Sequence, residues 1–306
     1  MHHASATPDT SLGPTRYGRG RTSTQRMPRS TPGTDAVNYV GKNKDLWNEW
    51  TEINARSAFY DVAGFKRKPT PLDAEVLAGV GDVHGKSVLH LQCHFGMDTI
   101  RLKLAGAASV VGVDFSDKAI AIARTLAAEM NVDARFVECD VLTLDLAEQF
   151  DIVFTSYGVI GWLPELAPWG RVIARHMKPG GRFFLIEGHP TMYMFEATGS
   201  GDLMIRYPYF RHREPIAIPP AEGTYYADPT AKFEGTEYSW AHALSETISS
   251  LLDAGLRIDE FREYTHIVWK AFPFMVEERP GRFVLPPGTP EVPTMFSLRA
   301  SKPPGT

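Results

Sequence analysis

Beyond residue 80, the spacing of hydrophobic and polar positions switches back and forth between two periods. Val88, Leu89 and Leu91 form a short apolar run bounded by polar residues, the pattern of a buried strand. A turn ending at Gly96 follows. Met97, Ile100 and Leu104 then recur at helical spacing, with Gly106 as the stop. Residues 109–114 predict a second strand that ends in Asp114. Phe115-Ser116-Asp117 opens a second helix, with Ser116 as its cap and Ile120, Ala123 and Ala127 as its apolar stripe. Residues 135–138 predict a third strand running into Cys139-Asp140-Val141, and residues 150–154 a fourth, emptying into Thr155-Ser156-Tyr157-Gly158. A helix through Leu166, Trp169, Val172, Ile173 and His176 leads to the turn Lys178-Pro179-Gly180-Gly181 and then the apolar strand 183–187. Strands alternating with helices in this way predict a doubly wound α/β sheet, with the ligand at the carboxyl ends of the strands.

Upstream, Leu46, Trp47, Trp50, Ile53 and Ala58 predict an aromatic-rich helix that runs up to Phe59-Tyr60-Asp61-Val62. Such a helix ahead of the sheet must pack on something. Phe59 and Tyr60 read either as a cover over the cleft or as core of that packing. Residues 66–71 form a linker and 72–79 a short helix. Downstream, Leu244, Ile248 and Leu251 predict a helix capped by Ser245 and ended by Gly255, and residues 258–264 and 295–300 predict two more strands.

Composition narrows the classes. The 306 residues can bury a full core, as one large domain or one domain with a cap. A formal charge of −4 gives no basic footprint for nucleic acid, and no apolar run reaches membrane-spanning length. Cys93 and Cys139 fall inside apparently buried elements, which points to a reducing, cytoplasmic compartment. Residues 1–34 are rich in Ser, Thr, Pro, Gly and Arg and lack the apolar centre of a secretory signal. They read as a disordered tail; a transit peptide and a substrate-covering arm are the other readings.

Asp114 lies eighteen positions after Gly96, where a carboxylate can accept both ribose hydroxyls of a nucleoside cofactor. The pyrophosphate pattern Gly-x-Gly-x-x-Gly is absent, which argues against a dinucleotide. His90, Cys93 and His94 were weighed as metal ligands. Successive strand residues point to opposite faces, and no second ligand pair stands at a zinc-like spacing, so no metal is assigned.

After residue 45 this order of elements resembles the class I S-adenosylmethionine (SAM) methyltransferases. Residues 88–96 match the glycine loop, 111–116 the ribose-binding strand end and Cys139-Asp140-Val141 the adenine clamp. Residues 150–157 match the active-site strand and 178–181 the turn before strand five. The motif Leu89-His90-Leu91-Gln92-Cys93-His94-Phe95-Gly96, with Phe59-Tyr60-Asp61-Val62 and Trp162-Leu163-Pro164, is similar to a broad bacterial subgroup acting on small molecules. The resemblance implies a Rossmann-like, doubly wound, mostly parallel seven-stranded sheet in a domain over residues 81–306. It adds a helical cap over 35–80 and a lid insertion after strand five, at 190–240. The implied cofactor is SAM, held by Tyr60, Gln92, Cys93, His94, Gly96, Asp98, Thr99, Asp114, Phe115, Ser116, Asp140, Val141, Ser156 and Tyr157.

The loop departs from the family pattern, acidic-x-Gly-x-Gly-x-Gly. His90 stands for the acid, Gln92 and His94 for two glycines, and only Gly96 remains. Main-chain amides can still approach the methionine part, with Gln92 or Asp98 as the substitute acceptor for its ammonium. The insertion is aromatic and proline-rich, and as a lid it suits a hydrophobic or planar small-molecule acceptor; a dimer contact is the other reading. Methyl transfer needs a base only if the acceptor must lose a proton. His189, His242, Tyr157 and Glu187 are the candidates, and Phe59, Trp162, His189, Tyr238 and Trp240 the expected acceptor-binding residues. Trp162 reads either as pocket wall or as packing beneath its loop. The alternatives are a protein or RNA methyltransferase, which needs an open basic groove, and a protein that binds SAM without transferring methyl. Homo-oligomers through the lid or the N-terminal arm fit the same pattern.

Overall fold

The computed structural model describes residues 37–197, 202–220 and 225–305, so the expected tail over 1–34 lies outside the described residues. Seven strands form the central sheet: β1 (Ser87–Leu91), β2 (Ser109–Asp114), β3 (Arg135–Glu138), β4 (Phe150–Ser156), β5 (Met177–Gly188), β6 (Arg257–Tyr264) and β7 (Met295–Ser301). Their spatial order is β3-β2-β1-β4-β5-β7-β6. The first five run parallel, while β7 is antiparallel to both β5 and β6. Strand order reverses between β1 and β4, which opens a cleft beyond their carboxyl ends.

Side-chain alternation along the strands explains the layers. Leu89, Leu91, Val111, Val113, Val153 and Phe183 pack beneath α6 (Leu166–His176) and α7 (Leu244–Leu252). Val88, Val110, Ile152, Phe154 and Phe184 face the opposite side, against α3 (Ala74–Val80) and Leu102 of α4 (Met97–Leu104). α5 (Asp117–Glu129) completes that layer with Phe65 of α2 (Val62–Arg67), Phe95 and Phe136. Within the expected cap, therefore, α3 is a layer of the sandwich; α1 (Tyr39–Arg56) is the element that stands over the cleft, its Leu46 and Trp50 packed on Tyr225 and Ala227.

Three local readings change. Ser245 lies within the first turn of α7, whose N-cap is Ala243 without a side-chain bond, because the helix starts two residues earlier than a Ser245 cap requires. Residues 178–181 belong to β5 as a bulge: Phe150 pairs with Met177 and Ile152 with Arg182, and Gly180 adopts φ +75°. The thirty residues between β6 and β7 are too many for a simple hairpin connection. They fold into a three-stranded sheet of His266–Ile267, Arg282–Val284 and Val276–Arg279. The lid carries two hairpins of its own, Phe195–Ala197 with Leu203–Ile205 and Ile216–Ile218 with Glu237–Ser239. No helix among the described residues is long and apolar enough to cross a membrane.

α6 meets α7 backbone to backbone at Gly170, where an added Cβ would lie 2.0 Å from the Ser250 carbonyl oxygen. Gly170→Ala must separate the two helices. It is expected to cost about 1–3 kcal/mol, read as a lower Tm in thermal denaturation, and an unchanged Tm contradicts this packing.

Candidate functional site

The cleft is one continuous cavity of about 1130 Å³. Its floor is the loop after β1. Gln92, His94 and Gly96 all adopt left-handed backbone, with φ +55°, +52° and +79°. Gly96 has no alternative, since a Cβ would lie 2.4 Å from the Phe136 ring. Gln and His at the other two positions cost roughly 1 kcal/mol or more each. Their side chains offset that strain. Gln92 Nε2 donates to the Val159 carbonyl at 2.9 Å, tying this loop to the one after β4. The His94 ring lies among Phe95, Trp47 and Tyr60, with centroids 4.1, 5.3 and 5.5 Å away.

Asp114 joins the two strand ends. Its Oδ2 accepts the His94 amide at 2.8 Å and its Oδ1 the Ser116 amide at 3.0 Å. Burial raises its carboxyl to about 6, against the pull of those N–H donors. Asp140 spends Oδ1 on the Leu142 amide at 2.9 Å, and among the described residues its second oxygen forms no hydrogen bond. Both carboxylates, with Phe115 and Val141, line the same end of the cavity.

The residues present fit SAM. Gln92 Oε1 is buried on the cavity-lining loop without a hydrogen-bond partner, an acceptor suited to an ammonium. Burial pushes His90 down to about 4 and His94 to about 3, so the imidazole standing for the family's acid is neutral and does not repel that cation. Asp98, paired with Arg101 at 2.7 Å, lines the same region. So does Asp73, a residue the sequence reading missed; it accepts from Tyr157 Oη at 3.2 Å.

Several expected contacts fall elsewhere. Thr99 is fully buried and spends its hydroxyl on His90 Nδ1 at 2.9 Å. Ser116 Oγ caps α5 through the Ala119 amide and meets Asn48 Oδ1 at 2.6 Å, so it stands off the cavity wall. His189 also lies off the wall: Nε2 faces Glu263 at 3.1 Å and Nδ1 accepts the Thr191 amide at 3.1 Å. Tyr238 points outward onto Tyr39, at 4.9 Å between ring centroids, because strand alternation turns Glu237 and Ser239 inward instead. His242 reaches the wall, but its Nε2 is held by the Leu163 carbonyl at 2.7 Å and its Nδ1 faces Glu246 at 3.1 Å. Glu187 is raised by burial. It accepts the amides of Gly158, Val159, Ile160 and Gly188 at 2.6–3.1 Å, which makes it a brace for the β4 loop with no oxygen left for a substrate proton.

The remaining residues converge. Phe59, Tyr60, Cys93, Ser156, Tyr157, Trp162 and Trp240 all line the cavity. The paired readings of Trp162 and Tyr60 were not exclusive. Trp162 lines the wall while packing edge-on against Trp47 and Trp50 at 5.2 and 5.6 Å. Tyr60 covers the loop while its hydroxyl meets Tyr226 Oη at 2.7 Å. The sequence reading also missed Tyr193, Glu237 and the 268–272 segment on the acceptor side. Period-two alternation around Tyr238 was the available signal for Glu237.

Residues 88–181 match the methyltransferase domain family. A ubiquinone biosynthesis O-methyltransferase of Pseudomonas fluorescens (strain Pf0-1) is 30% identical over 142 residues, 45% of this chain and 60% of the relative. The chain thus spans about 60% of the length of the curated relatives it matches. An S-adenosylmethionine dependent methyltransferase from Mesorhizobium loti shares the fold at TM-score 0.51 and 20% identity, covering 79% of this chain and all of that one. One from Clostridium acetobutylicum does so at TM-score 0.51 and 12% identity, over 87% and 100%. Residues 88–181 are thus similar to the methyltransferase domain family, and the chain shares the fold of the SAM-dependent methyltransferases it is compared with.

Because Asp114 ionises near pH 6 in the free protein, binding of S-adenosylhomocysteine is expected to weaken below that pH, approaching tenfold per unit as the carboxylate takes up a proton. Asp114→Asn should bind more weakly at neutral pH and lose the slope. Calorimetry from pH 7 to 5 reads both, and a flat wild-type profile contradicts the assignment.

Proposed function

We propose that this protein is a SAM-dependent methyltransferase acting on a planar, largely apolar small molecule. The observation that carries the reading is the continuity of the cavity. It runs from the Asp114 and Asp140 strand ends to an aromatic wall in which Trp240 of the lid is joined by Trp162 after β4 and Trp269 after β6. The curated relatives' names support an oxygen acceptor. When bound, the cofactor supplies an electrophilic methyl group on a sulfonium.

The chain's own residues bind and orient. Asp114 holds the ribose hydroxyls, the second oxygen of Asp140 the adenine amino group, and Gln92 Oε1 the ammonium. Glu187 fixes residues 158–160, and Gln92 fastens that loop to the one after β1, so both walls of the reacting centre are tied together. Trp47, Trp50 and Trp162 stack edge to face above His94 and exclude water. In a displacement of this kind, holding the two partners in line supplies much of the acceleration.

A second reading, a protein that binds SAM without transferring its methyl, rests on the altered loop. The retained left-handed backbone at 92, 94 and 96 speaks for a working site. Calorimetry with SAM, followed by assay of S-adenosylhomocysteine released over a metabolite extract, separates the two. Binding with release is expected. Binding without release favours the second reading, and no binding overturns both.

A further inference from the structure

On the lid side of the cavity Glu237 presents a carboxylate whose partner among the described residues is the neighbouring Ser239 hydroxyl. Glu237 begins the short strand Glu237–Ser239, paired antiparallel to Ile216–Ile218 with Ile218 opposite Glu237. Alternation turns Glu237 and Ser239 into the cavity and Tyr238 outward, where Tyr39 and Lys42 of α1 meet its ring. Around Glu237 the wall is apolar or aromatic: Ile216, Ile218, Tyr193 and Trp240. Tyr193 leans over the end of β5, where a Cβ on Gly188 would lie 2.3 Å from its hydroxyl oxygen. Its phenol is pushed up by desolvation and then by the charges of Glu187 and Glu237. Tyr225 also feels Glu237. Gly188 at the end of β5, Tyr193 and Glu237 all line the cavity.

Each of the other candidate bases on the wall already has a partner, Asp73 in the Tyr157 hydroxyl, Asp98 in Arg101 and His242 Nδ1 in Glu246 among them. Glu187 accepts four amides, His242 Nε2 is held by the Leu163 carbonyl, and Tyr157 donates to Asp73. Lys270 on the same wall is a donor only.

Resting on the methyltransferase reading above, we propose that the Glu237 carboxylate accepts the proton released in the reaction, and that the acceptor is a planar, otherwise apolar molecule presenting one hydroxyl to it. In each turnover the hydroxyl oxygen uses a lone pair to form the O–C bond and the C–S bond breaks with its electrons left on sulfur. The O–H proton passes to Glu237, which becomes a neutral acid and returns the proton to water. Burial lifts Glu237 to about 7, opposed by the Ser239 hydroxyl, so the group exchanges its proton near neutrality. An amine suits this wall less well. A carboxylate beside it stabilises the ammonium, which has no lone pair for attack.

The test uses 2-naphthol, whose fluorescence reports binding, and its methyl ether, 2-methoxynaphthalene, on the full chain saturated with S-adenosylhomocysteine. A hydroxyl donates a stronger hydrogen bond to a carboxylate than to a carboxylic acid. From pH 6 to pH 8 the affinity of wild type for 2-naphthol should therefore rise about tenfold. It should stay flat for Glu237→Gln, and for 2-methoxynaphthalene with either protein. S-adenosylhomocysteine affinity and Tm of Glu237→Gln should match wild type, which separates this role from a structural one. A 2-naphthol affinity without pH slope in wild type, or with the same slope in Glu237→Gln, overturns the role of Glu237. Failure of wild type to bind 2-naphthol while it binds S-adenosylhomocysteine overturns the acceptor class. Failure to bind S-adenosylhomocysteine overturns the methyltransferase reading itself.

Discussion

Asp114 is where the two halves of the structure are joined. Where the parallel strands end, the Cys93 amide still donates to the Val113 carbonyl at 2.9 Å, and beyond that point side chains must tie one loop to the next. Here one carboxylate takes the amide of His94 beyond β1 and that of Ser116 beyond β2. The first bond holds the β1 loop in its left-handed path; the second sets the start of α5. Desolvating that carboxylate is unfavourable, as its elevated pKa shows, and two N–H donors only partly compensate. A charged group kept in such a place suits a ligand that brings further donors.

The strained loop dictates what lies above it. Non-glycine residues at 92 and 94 are tolerable only if their side chains are well held. Gln92 reaches across to Val159, and the His94 ring is packed by Trp47 and Tyr60 from outside the sheet. Asn54 of α1 lies 3.5 Å from His94 Nε2 and accepts the Tyr225 hydroxyl at 2.7 Å, so α1 connects the loop to the lid. What began as a loss of glycines thus becomes a reason for the aromatic roof. Burial under that roof keeps both His90 and His94 neutral.

The sheet was legible because its signals are local. Apolar runs, glycine turns and caps such as Ser116 marked every strand of the central sheet, whereas the helix expected to run through residues 45–65 ends at Arg56 and restarts at Val62 after the left-handed Asp61. The strand-end positions Asp114 and Asp140 were legible as cavity-lining for the same reason, while Thr99 and Ser116 were not, because their hydroxyls turn to His90 and to the start of α5. The acceptor side was not. His189 sits one residue beyond β5, yet its ring turns to Glu263 on β6, a contact that depends on long-range pairing of the edge strands. Tyr238 and Glu237 are neighbours in sequence, and only the pairing with Ile216–Ile218 decides which of them faces inward. The three-stranded sheet after β6 contributes Trp269 and Phe272 to the wall, from a segment with no periodic pattern of its own.

A crystal structure with S-adenosylhomocysteine tests the central claim most directly, that a loop with Gln92 and His94 in place of glycines still forms a cofactor floor. The account predicts Gln92, His94 and Gly96 at positive φ, with the ribose hydroxyls on Asp114 and the Gln92 Oε1 atom bonded to the amino group. A loop relaxed to negative φ at residues 92 and 94, or a nucleoside bound away from Asp114, would contradict it.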